Sequence, residues 1–161
     1  MTNGRKVFLQ TLTELAEKDS KIIFIVGDVG FSFIDEYKKR FPNQYLNAGI
    51  GEQNMMDMAY GLSKVGWKPY VYSMINFICF RPYEQVRNTL CHQNGNVKLF
   101  GVEGSAAYAF LGMSHNIYGD EDKKVLEHLP NINVYIPEKE EEIREIMLKE
   151  YERSGPAYVR I

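Results

Sequence analysis

Asn47-Ala48-Gly49-Ile50-Gly51-Glu52-Gln53-Asn54 places a carboxylate just past a glycine turn, where the short apolar pair Tyr45-Leu46 hands over to a helical pattern. Met55, Met58, Ala59, Leu62 and Val65 recur at three- and four-residue spacing, which predicts one buried helical face. Glu52 then falls in the first turn of that helix. A glutamate there is ordinarily a solvated residue that suits the helix dipole.

Upstream, Ile22-Ile23-Phe24-Ile25-Val26 is β-branched and too short for a helix, so it reads as a buried strand. Gly27-Asp28-Val29-Gly30-Phe31-Ser32 follows it and sets Asp28 at the strand's carboxyl end, where ligands collect in open parallel sheets. Asp28 equally suits a cap on the turn into the next helix. Downstream, Lys68-Pro69-Tyr70-Val71-Tyr72-Ser73 reads as a strand, followed by a segment in which Met74, Phe77 and Phe80 are three apart. Met and aromatic residues at that spacing are ordinarily core. A further segment, Gly101 to Ala106 and on through Gly112-Met113-Ser114-His115-Asn116, follows the strand-like Val97-Lys98-Leu99-Phe100. Histidines in glycine-rich loops are usually plain loop residues.

The whole chain alternates in this way. Helices are expected at 3–18, 32–40, 52–65, 76–92, 121–129 and 138–152, and strands at 22–27, 44–46, 69–73, 97–102, 132–136 and 157–160. Right-handed crossovers then build a single three-layer α/β domain over 1–161, with a mostly parallel sheet flanked by helices. Glu138, Glu140, Glu141 and Glu142 open the last helix, where negative charge suits the dipole.

These segments together resemble the pyrimidine-binding domain of thiamine diphosphate enzymes, specifically the transketolase family of split-subunit type. Gly49-Ile50-Gly51-Glu52-Gln53 fits the family motif Gly-Ile-x-Glu-His or Gly-Ile-x-Glu-Gln. The resemblance implies that Glu52 hydrogen-bonds a ring nitrogen of the cofactor's aminopyrimidine and promotes its imino tautomer, whose exocyclic nitrogen takes the proton from the thiazolium C2. Glu52 must carry a proton to do so, which means that desolvation outweighs the helix N-terminus at this site. Asp28 and Ile50 are then expected near the cofactor. Phe77 and Phe80 are expected to stack on the aminopyrimidine, with Met74 replacing the family's first phenylalanine by a softer thioether contact. Glu84-Gln85-Val86-Arg87-Asn88 also looks like split transketolases and is assigned to helix packing and subunit contact.

The same resemblance makes His115 a ligand or proton donor to the substrate's oxygens. Glu103 stands where many sugar-phosphate transketolases have a histidine, and Leu111 where they have an aspartate. Arg5, Ser32 and Arg160 match the rest of the family's phosphate set. Arginines fork onto phosphate or carboxylate equally well, and both are as readily ordinary surface charges, so the substrate's identity stays open.

A thiamine diphosphate site needs a second half, carrying Gly-Asp-Gly to hold magnesium, and this chain has no Gly-Asp-Gly; Gly119-Asp120-Glu121 comes nearest. The expectation is a pyrimidine-domain subunit of a transketolase-like enzyme, transferring a ketol unit between sugar-type substrates. It would be active only with a diphosphate-binding partner that carries Gly-Asp-Gly and holds Mg2+. A deoxyxylulose phosphate synthase or 2-oxo acid dehydrogenase β type is the near alternative, and a non-catalytic assembly module the other. A homodimer or heterotetramer is expected, because the helix faces carrying Met55, Met58, Phe77 and Phe80 exceed what one small sheet covers.

Bulk composition fits this reading. The hydrophobic share of 45%, the charged share of 25% and the net charge of −2 are those of a globular domain and argue against a nucleic-acid surface. Lys38-Lys39-Arg40 reads as a solvated helix end. No apolar stretch approaches the roughly 20 residues of a membrane span, and Met1-Thr2-Asn3-Gly4 is polar, so a cytoplasmic protein is expected. Cys79 and Cys91 have no metal-ligand spacing and lie too far apart on one expected helix to pair, so both read as reduced thiols.

Overall fold

The structure, a computed structural model, describes residues 3–104 and 106–161. Met1, Thr2 and Ser105, which the readings of the N-terminus and of the third loop include, lie outside the described residues. In chain order the elements are α1 (Asn3–Lys18), β1 (Ile22–Val26), α2 (Asp35–Arg40), β2 (Tyr45–Asn47), α3 (Glu52–Lys64) and β3 (Lys68–Met74). They continue with α4 (Tyr83–Gln85), β4 (Lys98–Val102), α5 (Glu121–Leu126), β5 (Asn133–Tyr135), α6 (Glu140–Glu152) and β6 (Ala157–Arg160).

The six strands form one sheet in the order β2-β1-β3-β4-β6-β5, and every pairing is parallel. Both faces are covered, so the central strands are largely apolar on both sides, and β1 is apolar and buried throughout. Ile23, Ile25, Val71, Leu99 and Tyr158 face α3, α5 and the segments flanking α4. Phe24, Tyr70, Tyr72, Phe100 and Val159 face α1, α2 and α6. The second core is aromatic. Phe8 on α1 sits with its ring centroid 4.5 Å from Phe100 and 5.5 Å from Tyr72, and Phe24 meets Tyr37 edge-on at 5.2 Å.

The expected helix 32–40 starts later, at Asp35, because Gly30 (φ 87°) and Ser32 (φ 62°) hold left-handed backbone that no right-handed helix admits. The expected single helix 76–92 is broken into π turns at Asn76–Phe80 and Val86–His92 around α4. Pro82 lies between the first π turn and α4 and has no amide hydrogen for a helical ladder. The apolar surplus expected to drive self-association is also smaller than the sequence suggests. Met55 and Phe77 are buried within the chain and Met58 is half-buried, leaving Phe80 exposed. Cys79 and Cys91 are separate buried thiols, and burial pushes both well up from the ordinary cysteine range. Among the described residues, no helix is long and apolar enough to cross a membrane.

At the amino end of β4 the sheet carries a buried charge. Lys98 Nζ lies 3.3 Å from Glu150 Oε2 and donates to the carbonyls of Gly155 (2.6 Å) and Arg153 (3.0 Å). Glu150 also accepts from Asn133, Tyr135 and Arg153. Burial pushes the Lys98 ammonium down to about 8, against the pull of Glu150. Removing one partner of such a pair strands the other, at a cost of about 3–5 kcal/mol. Glu150→Ala is therefore expected to lower the urea-unfolding free energy by that amount and Lys98→Met by less; a Glu150→Ala deficit under about 1 kcal/mol would show the network to be dispensable.

Candidate active site

β1 has β2 on one side and β3 on the other, so strand order reverses there and the chain segments leaving β1 and β3 run to opposite faces of the sheet. The crevice outside those carboxyl ends is where open α/β sheets bind ligands. Three turns converge on it. After β1, Asp28 holds φ 54°, and Asn47 at the end of β2 clamps it: the Asp28 amide donates to Asn47 Oδ1 (3.0 Å) and Asn47 Nδ2 donates to Asp28 Oδ1 (3.1 Å). The same Asn47 Oδ1 accepts from the Gly49 amide at 2.9 Å, shaping the glycine turn, where Gly49 itself holds φ 72°. Ile50 stands 80% exposed on this turn, and α3 then begins with Glu52.

Glu52 is buried, its side chain only 8% exposed. The helix start does not leave it in water, as a plain first-turn glutamate would be. Arg81 Nη1 donates to its Oε1 at 2.9 Å, and the Arg81 guanidinium also lies over the Phe77 ring, 3.7 Å from the centroid. The His115 ring meets Phe77 edge-on at 5.0 Å. Glu52, Phe77 and His115 are thus linked by direct contacts through Arg81 and the Phe77 ring. Met74 closes β3 and is buried, while Phe80 projects outward.

The loop that carries His115 is tied to β3 by Asn76, whose Nδ2 donates to the carbonyls of Met113 (2.9 Å) and Asn116 (3.0 Å). Ser114 Oγ lies 2.8 Å from His115 Nδ1 and so bears on which ring nitrogen faces outward. Gly104 passes so close to Asn116 that an added Cβ would stand 2.2 Å from its Oδ1, which requires glycine there.

The residues matched to substrate binding separate into two places. Arg5 lines a cavity of about 60 Å³ with Val29, Tyr72, Ser73, Met74 and Tyr108. Its guanidinium lies 4.6 Å from the Phe33 ring centroid, beside the loop that holds the exposed Ser32. Burial pushes the Tyr72 hydroxyl up to about 12, against the pull of Arg5. Arg160 and the exposed Glu103 line a different groove, of about 160 Å³, with Lys139 and Ile161. Arg160 is committed there: its Nε donates to Asp122 Oδ2 at 3.0 Å, and its Nη2 pairs with Asp120 and with the other oxygen of Asp122.

The donor set suits an aminopyrimidine-type group. The buried Glu52 carboxyl and the Phe77 ring are joined through Arg81, the Met74 thioether lines the small cavity with Arg5 and Ser73, and three buried polar atoms, Arg5 Nε, Ser73 Oγ and Asn76 Oδ1, have no hydrogen-bond partner among the described residues. A Cβ on Gly49 or Gly51 would meet nothing within 4 Å, so the glycine turn opens onto free space. Asn47, Ser73, Arg81 and Asp122 were not singled out from sequence as site residues. Arg81 alone had a signal there, standing four residues after Phe77 on one expected helix face.

Comparison with known proteins agrees with the geometry. Residues 1–161 match the family described as transketolase, pyrimidine binding domain. An apulose-4-phosphate transketolase subunit of Phocaeicola vulgatus is 33% identical over 98% of this chain and 50% of its own length. The 1-deoxy-D-xylulose-5-phosphate synthase of Halalkalibacterium halodurans is also 33% identical, over 96% of this chain and 24% of its own. Among solved structures, a split-gene transketolase described as an inactive β4 tetramer superimposes with a TM-score of 0.84 at 33% identity, over 98% of this chain and 50% of that one. A transketolase of Pichia stipitis shares the fold at 18% identity with a TM-score of 0.81, over 97% of this chain and 25% of that one. The chain thus spans a quarter to a half of the length of these proteins.

The Arg160 arrangement predicts a pH signature. Although burial opposes ionisation, Arg160 and the Tyr158 hydroxyl, 2.6 Å away, hold the Asp122 carboxyl below its ordinary value of 3.8. A carboxylate depressed by folding contributes stability that is complete above its unfolded pKa and is lost as pH falls through the folded one. Asp122→Asn is expected to cost about 3 kcal/mol near pH 7 in urea unfolding, with the deficit shrinking below about pH 4; a deficit that does not change with pH would contradict the ion pair.

Proposed function

The chain belongs to the transketolase pyrimidine-binding domain family, and from that premise we propose that it is the pyrimidine-domain subunit of a transketolase-like enzyme, transferring a ketol unit between sugar-type substrates. The observation that carries this reading is Glu52: a buried carboxylate at the start of α3, facing the strand-order reversal and joined through Arg81 to the Phe77 ring. A structural glutamate at a helix start has no need of burial.

Thiamine diphosphate, when bound, supplies the nucleophilic carbon that ketol transfer requires. Glu52 holds a proton at its carboxyl oxygen against a ring nitrogen of the aminopyrimidine. Phe77, Met74 and, from its outward position, Phe80 would wall the ring, while Asp28 and Ile50 would border it from the turns after β1 and β2. His115, held by Ser114 and Phe77, addresses substrate oxygens as hydrogen-bond or proton donor. Arg5 is the cation available for an anionic substrate group. Arg160 already has its carboxylates, so it braces the far end of the sheet, and Glu103 in the same groove bounds the substrate's approach.

The diphosphate and Mg2+ fall to a partner subunit carrying Gly-Asp-Gly. What supports that reading is the split-gene relative of known structure, 33% identical, which is described as an inactive β4 tetramer. The exposed Phe31, Ile50, Phe80, Phe110 and Met113 offer an apolar surface of the kind such a partner covers.

In the complex with that partner, Glu52→Gln keeps the shape of the site but cannot pass a proton. Exchange of the cofactor's C2 proton for deuterium, read by NMR after acid quench, is expected to slow by roughly a hundred- to ten-thousandfold, the loss typical of a positioned acid or base. That is about 3–5 kcal/mol in the barrier. Equal exchange rates in mutant and wild type would make Glu52 a structural residue and remove the basis of the proposal.

A further inference from the structure

Arg81 touches both of the groups assigned to the aminopyrimidine. Its guanidinium carbon stands 3.7 Å from the Phe77 centroid, closer than Arg5 over Phe33 (4.6 Å) or Arg40 over Phe41 (5.1 Å), and its Nη1 donates to Glu52 Oε1 at 2.9 Å. A guanidinium and an aminopyrimidine share the features these partners recognise: a flat π system with nitrogen atoms at its edge, stacked on an aromatic face and hydrogen-bonded in plane to a carboxyl. We propose that Arg81 is a built-in occupant of the aminopyrimidine position, filling it in the cofactor-free chain and swinging out when thiamine diphosphate binds.

Three properties fit a displaceable occupant. The Arg81 side chain is 47% exposed, so solvent lies beside it, and Glu52 is its only side-chain ion partner among the described residues. It is anchored by backbone alone, its amide donating to the Asn76 carbonyl at 3.2 Å across the π turn, so the side chain moves without unfolding the segment. Its removal also has a chemical consequence. With Arg81 in place, Glu52 Oε1 is taken by a guanidinium N–H; with Arg81 gone, that oxygen is free to meet a ring nitrogen. Displacement of the arginine and release of the Glu52 oxygen become one event. The opposing case is a fixed ion pair that orients Glu52 and remains when the cofactor is bound.

This inference rests on the thiamine diphosphate reading, and the test separates the two. Calorimetric titration of thiamine diphosphate with magnesium into the complex of this chain and its partner compares wild type, Arg81→Ala and Arg81→Lys. An occupant competes with the cofactor, so Arg81→Ala is expected to bind roughly three- to thirtyfold more tightly, the scale of a half-exposed ion pair together with a cation–π contact, with Arg81→Lys in between. In parallel, NMR of 15N-labelled arginine side chains follows the Arg81 Nη–H signal, assigned by its loss in Arg81→Lys. It is expected to be protected from solvent exchange in the free chain, to lose that protection in Glu52→Gln, and to lose it in wild type as the cofactor saturates. If the wild-type complex binds the cofactor while Arg81→Ala binds no tighter, or the Arg81 signal stays protected at saturation, the arginine is a fixed positioning residue and the inference falls alone. If no variant binds thiamine diphosphate, the cofactor reading and this inference fall together.

Discussion

The reversal of strand order at β1 is the constraint from which the site follows. A sheet whose strands all run parallel must return each time by a crossover, and the crossovers after β1 and after β3 pack on opposite faces: Ile34 and Tyr37 join the aromatic core, while Ile78, Val86 and Leu90 join the other. The two loops therefore part at the carboxyl ends of adjacent strands. Glu52 is delivered there because β2 pairs on the outer edge of β1 and α3 must cross back over to start β3. Register fixes the heights, with Val26 level with Asn47 on one side and Tyr72 on the other.

Irregular backbone gathers at that same end. Asp28 and Ser32 hold positive φ without being glycine, and the segment after β3 runs as π turns in place of a regular helix. Such geometry costs free energy and persists only where surrounding contacts impose it. Here the contacts are asparagine side chains: Asn47 ties the Asp28 turn to the Gly49 turn, and Asn76 ties the β3 end to the loop of His115. The loops of the site are thus held to one another as well as to the sheet.

What the sequence disclosed and what it withheld divide along physical lines. The strands were readable because burial on both faces demands unbroken apolar runs, and the α3 face because Met55 and Ala59 recur with helical period. The start of α2 and the break at 76–92 were not, since left-handed backbone at Ser32 and π geometry are imposed by long-range contacts and leave no periodic trace. Among site residues, the motif around Glu52 and the aromatic Phe77 were legible as motif and spacing, and in the structure Arg81 joins the two. The two arginines expected as anion ligands could not be told apart in sequence. Their difference lies in Asp122, distant in the chain and wholly buried, which takes Arg160 and leaves Arg5 without such a carboxylate neighbour in its cavity.

Charge compensation links these observations. The buried acidic groups of this domain each meet a basic group: Glu150 has Lys98 and Arg153, Asp122 has Arg160, and Glu52 has Arg81. The first two pairs are sealed by further hydrogen bonds from Tyr135, Asn133 and Tyr158. Glu52 has one donor, from a side chain nearly half in solvent, next to an opening. A carboxylate so placed is the least costly of the three to uncouple, because its cation can be rehydrated where it stands. Of the three pairs, this one joins a buried acid, set just past a glycine turn whose Gly49 opens onto free space, to a partner whose side chain stands nearly half in solvent.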